Sequence, residues 1–173
     1  MASKTTVLPV VNGRPVGRST TPKVLSVADL VGKAYNEDMK VAFPDVMPSY
    51  YPAGKLILCQ VRRAKKIKKL AGGVSLILPD ETVDNERYRV QTAIVRAMGP
   101  AAFRNRNTLE PWPEGDWCNV GDFIRVPLYG GDRIAVPYKT PEGTDDEILF
   151  VAINDTDVTG VVIGDPLAVK TLL

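Results

Sequence analysis

Few side chains in this 173-residue sequence could do chemistry. Carboxylate pairs such as Asp145-Asp146, and Asp155 with Asp157, have the spacing to hold a magnesium or calcium ion. The first lies in a stretch with Pro141 and Gly143 and the second just after an apolar run, so both read better as solvated turn residues. There is no histidine, which removes Ser-His-Asp and Cys-His triads, histidine zinc sites and histidine pH switches. Cys59 and Cys118 cannot make a four-cysteine zinc site or a disulfide framework. They fit a reducing compartment in which thiols behave as small hydrophobes. The residue types predict a protein with no catalytic residues, metal or cofactor, whose work is to bind.

A formal net charge of +2 hides an asymmetry: residues 1–54 carry +2, residues 55–113 carry +7 and residues 114–173 carry -7. Such asymmetry points to interaction surfaces, because long-range fields steer partners. The sharpest element is Arg62, Arg63, Lys65, Lys66, Lys68 and Lys69, a candidate contact for an anionic partner. Nucleic acid is the weaker choice of partner. The run has no aromatic on which bases would stack, and neither a helix-turn-helix nor a zinc motif accompanies it. The plain alternative is a solvated loop.

These residues must be positioned by one cored domain with extras, since the length is short for two. Residues 1–54 contain Pro9, Pro15, Pro22, Pro44, Pro48 and Pro52 and read as an extended arm. Within it, Ser26 precedes Val27, Leu30, Val31, Ala34 and Tyr35 at helical spacing, with Asp29 completing an acidic capping box. The spacing predicts one short helix over about residues 27–36. A helix this short is marginal alone, so Val27, Leu30, Val31 and Tyr35 should dock on the chain's own fold or on a neighbour. Strand patterns follow at Lys55–Val61, Arg89–Met98, Phe123–Leu128, Arg133–Tyr138, Ile148–Ile153 and Val158–Ile163, separated by Gly and Pro turns. The expectation is an all-β barrel or sandwich over residues 55–163, with a tail at 164–173. No apolar run approaches about 20 residues and the N-terminus lacks an apolar signal region, so neither a membrane span nor secretion is expected, and the protein reads as soluble and cytosolic.

Along residues 55–163 the motifs resemble, in order, those of the GroES-type co-chaperonin family. Lys55–Val61 is similar to its opening strand, and the polar stretch ending Ala71-Gly72-Gly73, with the apolar cluster and Pro79-Asp80, to its mobile loop. Arg89–Gly99 resembles the strand ending Val-x-Ala-x-Gly. Val120–Val126, leading to Tyr129-Gly130-Gly131, resembles the Val-Gly-Asp strand and glycine turn, and Ile148–Val162 the closing strands. The resemblance implies a GroES-like small β-barrel with a mobile loop at about 62–80 and a roof loop at about 100–119. It also implies a ring, a heptamer in the family, that caps a chaperonin ring in its ATP-bound state.

Physical chemistry adds a reading of the loop. Gly72 and Gly73 keep the backbone permissive, and Val74, Leu76, Ile77 and Leu78 supply apolar anchors on a segment that orders on docking. One such loop binds weakly and a ring of copies binds by avidity. Without the resemblance, Val74–Leu78 reads as a buried strand. Ser75 interrupts the aliphatic tripeptide that follows the glycine pair in the family, so either Leu76-Ile77-Leu78 is a shifted anchor or docking is lost. In the roof loop, Phe103, Trp112 and Trp117 serve either local packing or contact.

The unusual arm and strained likeness suggest a bacteriophage version that assists capsid protein folding in the host cytoplasm. The alternative is a virion protein, a head decoration or cement protein, anchored by its arm to the major capsid protein.

Overall fold

The computed structural model describes residues 24–63 and 90–169 in full, and the backbone of four further strand segments, Val10–Val11 (β1), Arg14–Pro15 (β2), Ile67–Lys69 (β4) and Ser75–Ile77 (β5). Within the fully described parts lie α1 (Val27–Val31), α2 (Glu37–Ala42), β3 (Leu56–Val61), β6 (Thr92–Met98), β7 (Phe123–Arg125), β8 (Asp132–Lys139), β9 (Asp145–Asn154) and β10 (Gly160–Val161). The architecture is mostly sheet, all-β in class. Six strands form one antiparallel sheet in the order β10-β7-β6-β3-β9-β8. Each strand pattern predicted from Lys55 onward overlaps one of these strands, β8 and β9 running longer than the patterns at Arg133–Tyr138 and Ile148–Ile153.

β3 is central because both of its faces are apolar, and from Ile57 to Val61 it is buried on both sides. It pairs with β6 on one side and with β9 on the other, from Leu56 opposite Asn154 to Gln60 opposite Phe150. On the β6 side Leu58 faces Ala97 and Cys59 faces Val95, so Arg96 is the extra residue of a β-bulge. The pleat divides the core. Ile57, Cys59 and Val61 pack with Ala93, Val95, Val151 and Ile153 on one face, beneath Ala102, Phe103 and Cys118. Leu58, Ala97, Ile148 and Phe150 form the other face with Val24, and Ile94 extends it toward Val27, Met39 and Phe43.

The N-terminal segment departs from the expected extended arm with one helix. Among the described residues it has two α-helices, joined by a 3-10 turn at Gly32–Ala34, and residues 24–53 lie against the second face of the sheet. α1 starts as its capping box predicts, with Ser26 Oγ accepting from Asp29 N at 3.0 Å. α2 is capped by Asn36, whose Oδ1 accepts from Met39 N at 2.9 Å, and carries Glu37 and Asp38 in its first turn where the helix dipole favours anions. Its apolar stripe is only Met39, Ala42 and the adjoining Phe43, too short a repeat to separate from a loop by periodicity. Of the described prolines, Pro44 follows the C-cap of α2, and Pro48 and Pro52 lie in the irregular stretch that leads over the sheet to β3.

Gly99 closes the Val95–Gly99 motif for a steric reason. A Cβ there would lie 2.3 Å from the carbonyl oxygen of Gly54, so any side chain would push apart the turn that feeds β3. Ala101 N donates to that same oxygen at 2.9 Å.

Candidate partner-binding surfaces

Val27 is fully buried, and Leu30, Val31 and Tyr35, half-buried, pack against the cluster it forms with Met39, Ala42, Phe43 and Ile94. The docking surface of the predicted helix is therefore the chain's own fold. Tyr35 donates its hydroxyl to Phe43 O at 2.9 Å, and burial, with the Asp45 carboxylate adding to it, pushes its pKa up to about 12.

The segment is fastened by a polar seam that the sequence reading missed. Arg96, 1% exposed, donates through Nη1 to Gln60 Oε1 and through Nε and Nη2 to Leu25 O at 3.2 and 2.9 Å. Its Nη2 also meets Met47 Sδ at 3.3 Å and lies 4.0 Å from Asp45 Oδ1. Gln60, equally buried, donates to Pro44 O at 2.7 Å, and Asp45 Oδ1 accepts from Val27 N at 2.9 Å. A buried guanidinium is tolerated only with its donors engaged, and here the acceptors come almost entirely from residues 25–47. The available signal was one arginine inside the apolar run Thr92–Met98, which a period-two reading passes over.

The predicted partner loop divides. Gly72, Gly73, Val74, Leu78, Lys65 and Lys66 lie outside the described residues. Leu76 and Ile77 lie in β5, and Lys68 and Lys69 in β4. β4 and β5 pair antiparallel from Ile67 opposite Ile77 to Lys69 opposite Ser75. At these positions the backbone is a small hairpin, which differs from the expected loop without structure. The hairpin is not part of the six-stranded sheet. It belongs to an excursion over residues 62–91 between β3 and β6, two strands that are hydrogen-bonded neighbours, with Val61 opposite Ala93.

The two arginines expected at an anionic partner are instead engaged within the chain. Arg62 Nη1 donates to Pro166 O, Leu167 O and Val169 O at 3.4, 3.3 and 3.2 Å, and its burial lowers its pKa. Arg63 Nε and Nη2 grip Asp146 Oδ2 at 2.8 and 2.7 Å, while Arg63 N donates to Ala42 O at 2.8 Å. Both residues leave the end of β3, where the C-terminal turn, β9 and α2 meet, so the nearest acceptors are internal. They clamp the root of the excursion, and Arg63 with Asp146 joins the basic to the acidic stretch.

The stretch at about 100–119, expected from the resemblance as a roof loop and so named, is an aromatic plug with one open side. Phe103, fully buried, stacks edge-on with Trp112 at 5.5 Å and tilted with Trp117 at 6.1 Å, and the two indoles are 5.4 Å apart. Phe103 has φ 54, a left-handed conformation uncommon in a bulky residue. Its N–H donates to the buried carboxylate of Asp155 at 2.9 Å. Trp112 and Trp117, with Pro113, Glu114 and Thr156, line an open depression of about 310 Å³. Packing and exposure are thus divided among the three rings.

The carboxylates singled out as ion ligands are used in turns and pairs. Asp155 accepts from Phe103 N and Thr156 N, Asp157 from Asn154 Nδ2, and Asp145 lies 3.4 Å from Lys139 Nζ. No group of three such ligands occurs among the described residues. Cys59 and Cys118 are buried free thiols in one core cluster, and burial pushes both pKa values up, that of Cys118 to about 12. Neither is a ready nucleophile. No protein-family model matches this chain, and no curated protein and no solved structure matches it.

Proposed function

We propose that the chain is a non-catalytic binding protein of the co-chaperonin type, a GroES-like barrel working as a ring that caps a chaperonin through residues 62–91. The observation that carries this reading is the excursion itself. β3 and β6 need only a tight turn to connect, yet the chain spends residues 62–91 between them and gives that segment a hairpin outside the sheet. Connections this long in compact domains are uncommon and serve either function or linkage, and two strands that already neighbour each other need no linker. Of the five resembling stretches, the four outside the loop fall, in order, on strands and turns of a single sheet, which supports the reading without depending on any one of them.

The virion alternative drew on a free arm of 54 residues. Residues 24–53 are built into this chain's own fold, which removes most of the segment that would lace neighbouring subunits together.

The test replaces Leu76, Ile77 and Leu78 with Ser. Capping of a nucleotide-bound chaperonin, followed by co-sedimentation, is lost while ring size by light scattering is unchanged. Unchanged capping overturns the loop assignment. Failure of the unaltered protein to cap any chaperonin, together with its presence in purified particles at a fixed ratio to capsid protein, overturns the co-chaperonin reading in favour of the virion protein.

A further inference from the structure

We propose that the depression beside the roof loop is a binding site for a lysine or arginine side chain presented by a partner polypeptide. Its walls are Trp112 and Trp117, inclined at 62°, so two indole faces make a corner. Trp117 is 41% exposed, which opens the corner to solvent, while buried Phe103 behind it holds both rings. A surface already ordered in this way loses little freedom on binding.

Charge chooses the ligand. Glu114 lines the depression, and the turn that carries it is closed by Gly115 N donating to Trp112 O at 2.9 Å, with Gly115 at φ +77. From residue 104 to residue 124 the chain has Glu110, Glu114, Asp116 and Asp122 against the basic Arg104 and Arg106, an acidic excess. The adjoining Arg104 turns its guanidinium to Leu109 O at 3.3 Å. A cation over an indole face gains from the ring quadrupole, tryptophan being the best such face, and a flanking carboxylate adds to it. An anion is repelled from the same corner. At about 310 Å³ and open, the depression takes one extended side chain and not a helix. The proposal is independent of the co-chaperonin reading.

Both tryptophans of the chain are in this site, so intrinsic fluorescence of the full-length protein reports on it without a label. The experiment titrates a short lysine-containing peptide and its norleucine counterpart. A saturable change with lysine, absent with norleucine and weakened by salt, is expected. Trp117→Ala weakens the lysine peptide about tenfold, read from Trp112, and Glu114→Gln about threefold. Glu114→Lys, on an exposed turn, abolishes binding with both indoles kept, so the site is tested even if Trp117→Ala unfolds. An equal response to norleucine or to a polyproline peptide overturns the proposal, as does no response to lysine or full binding by Glu114→Lys.

Discussion

The two faces of the central sheet are closed by different physics. Under the roof loop, Ile57, Cys59, Val61, Val95, Val151 and Ile153 meet Ala102, Phe103 and Cys118, and the contact is almost wholly carbon and sulfur. Under the N-terminal segment, apolar patches flank a buried arginine and glutamine that reach across to main-chain carbonyls. The first face is held by volume, and a changed side chain there costs what it leaves empty. The second is held by partnership, and a change costs what it leaves unpaired. Packing tolerates near-equivalents, whereas a guanidinium bonded to one particular carbonyl and to an amide that itself holds a second admits one docking position.

The largest effect should come from the first face. Phe103→Ala removes a fully buried ring and its two indole contacts and should cost about 3–5 kcal/mol in denaturant unfolding. On the second face Arg96→Met should cost about 2–3 kcal/mol, below the usual figure for breaking a buried ion pair because Gln60 is neutral and Asp45 partly exposed. The double variant with Gln60→Leu separates the two kinds of closure. Removing both polar partners should recover about 1 kcal/mol of the Arg96→Met loss, whereas a further loss there would make this face no different from the first.

Asp155→Ala, which strips the main-chain bonds to Phe103 and Thr156, should cost about 1–3 kcal/mol and loosen the roof loop ahead of the sheet in hydrogen exchange. Ser26→Ala and Asn36→Ala should each cost about 1 kcal/mol, confined to the N-terminal segment.

The smallest effect is in pH. Tyr35 has a raised pKa of about 12 in the folded chain against 10.0 unperturbed, so the stability it contributes is full below pH 10 and is lost as pH rises through 12. Tyr35→Phe should flatten that decline in thermal melts between pH 10 and 12. An unchanged slope would show that the second face does not report through Tyr35.

The strands were legible because their apolar runs are bounded by Gly and Pro, and Ser26 announced α1. The excursion was legible through the break in the strand pattern after Val61. What the sequence hid depends on which chain segments meet. α2 has too few apolar positions to show a period, and only its Asn36 cap hints at it. Arg62 and Arg63 sit in a run of like charge, so their type suggested an outside partner. Their acceptors at 146 and 166–169 are remote in sequence. Arg96 is one charge in an apolar strand pattern, and its alternation with Ile94 puts it on the face where Gln60 and Leu25 wait, but its acceptors lie in remote segments.

The place of β3 in the sheet governs the order in which the chain can assemble. Leu56 pairs with Asn154, so its ladder with β9 closes only when nearly the whole chain has been made. At ribosomal speeds that is a wait of roughly 5 to 20 s for a strand apolar on both faces. Residues 24–53 are made before β3 and cover one of those faces in the finished fold. The partners that β3 itself has in that segment, Val24 clustered with Leu58 and Pro44 O bonded by Gln60, are therefore made before any other strand of the sheet.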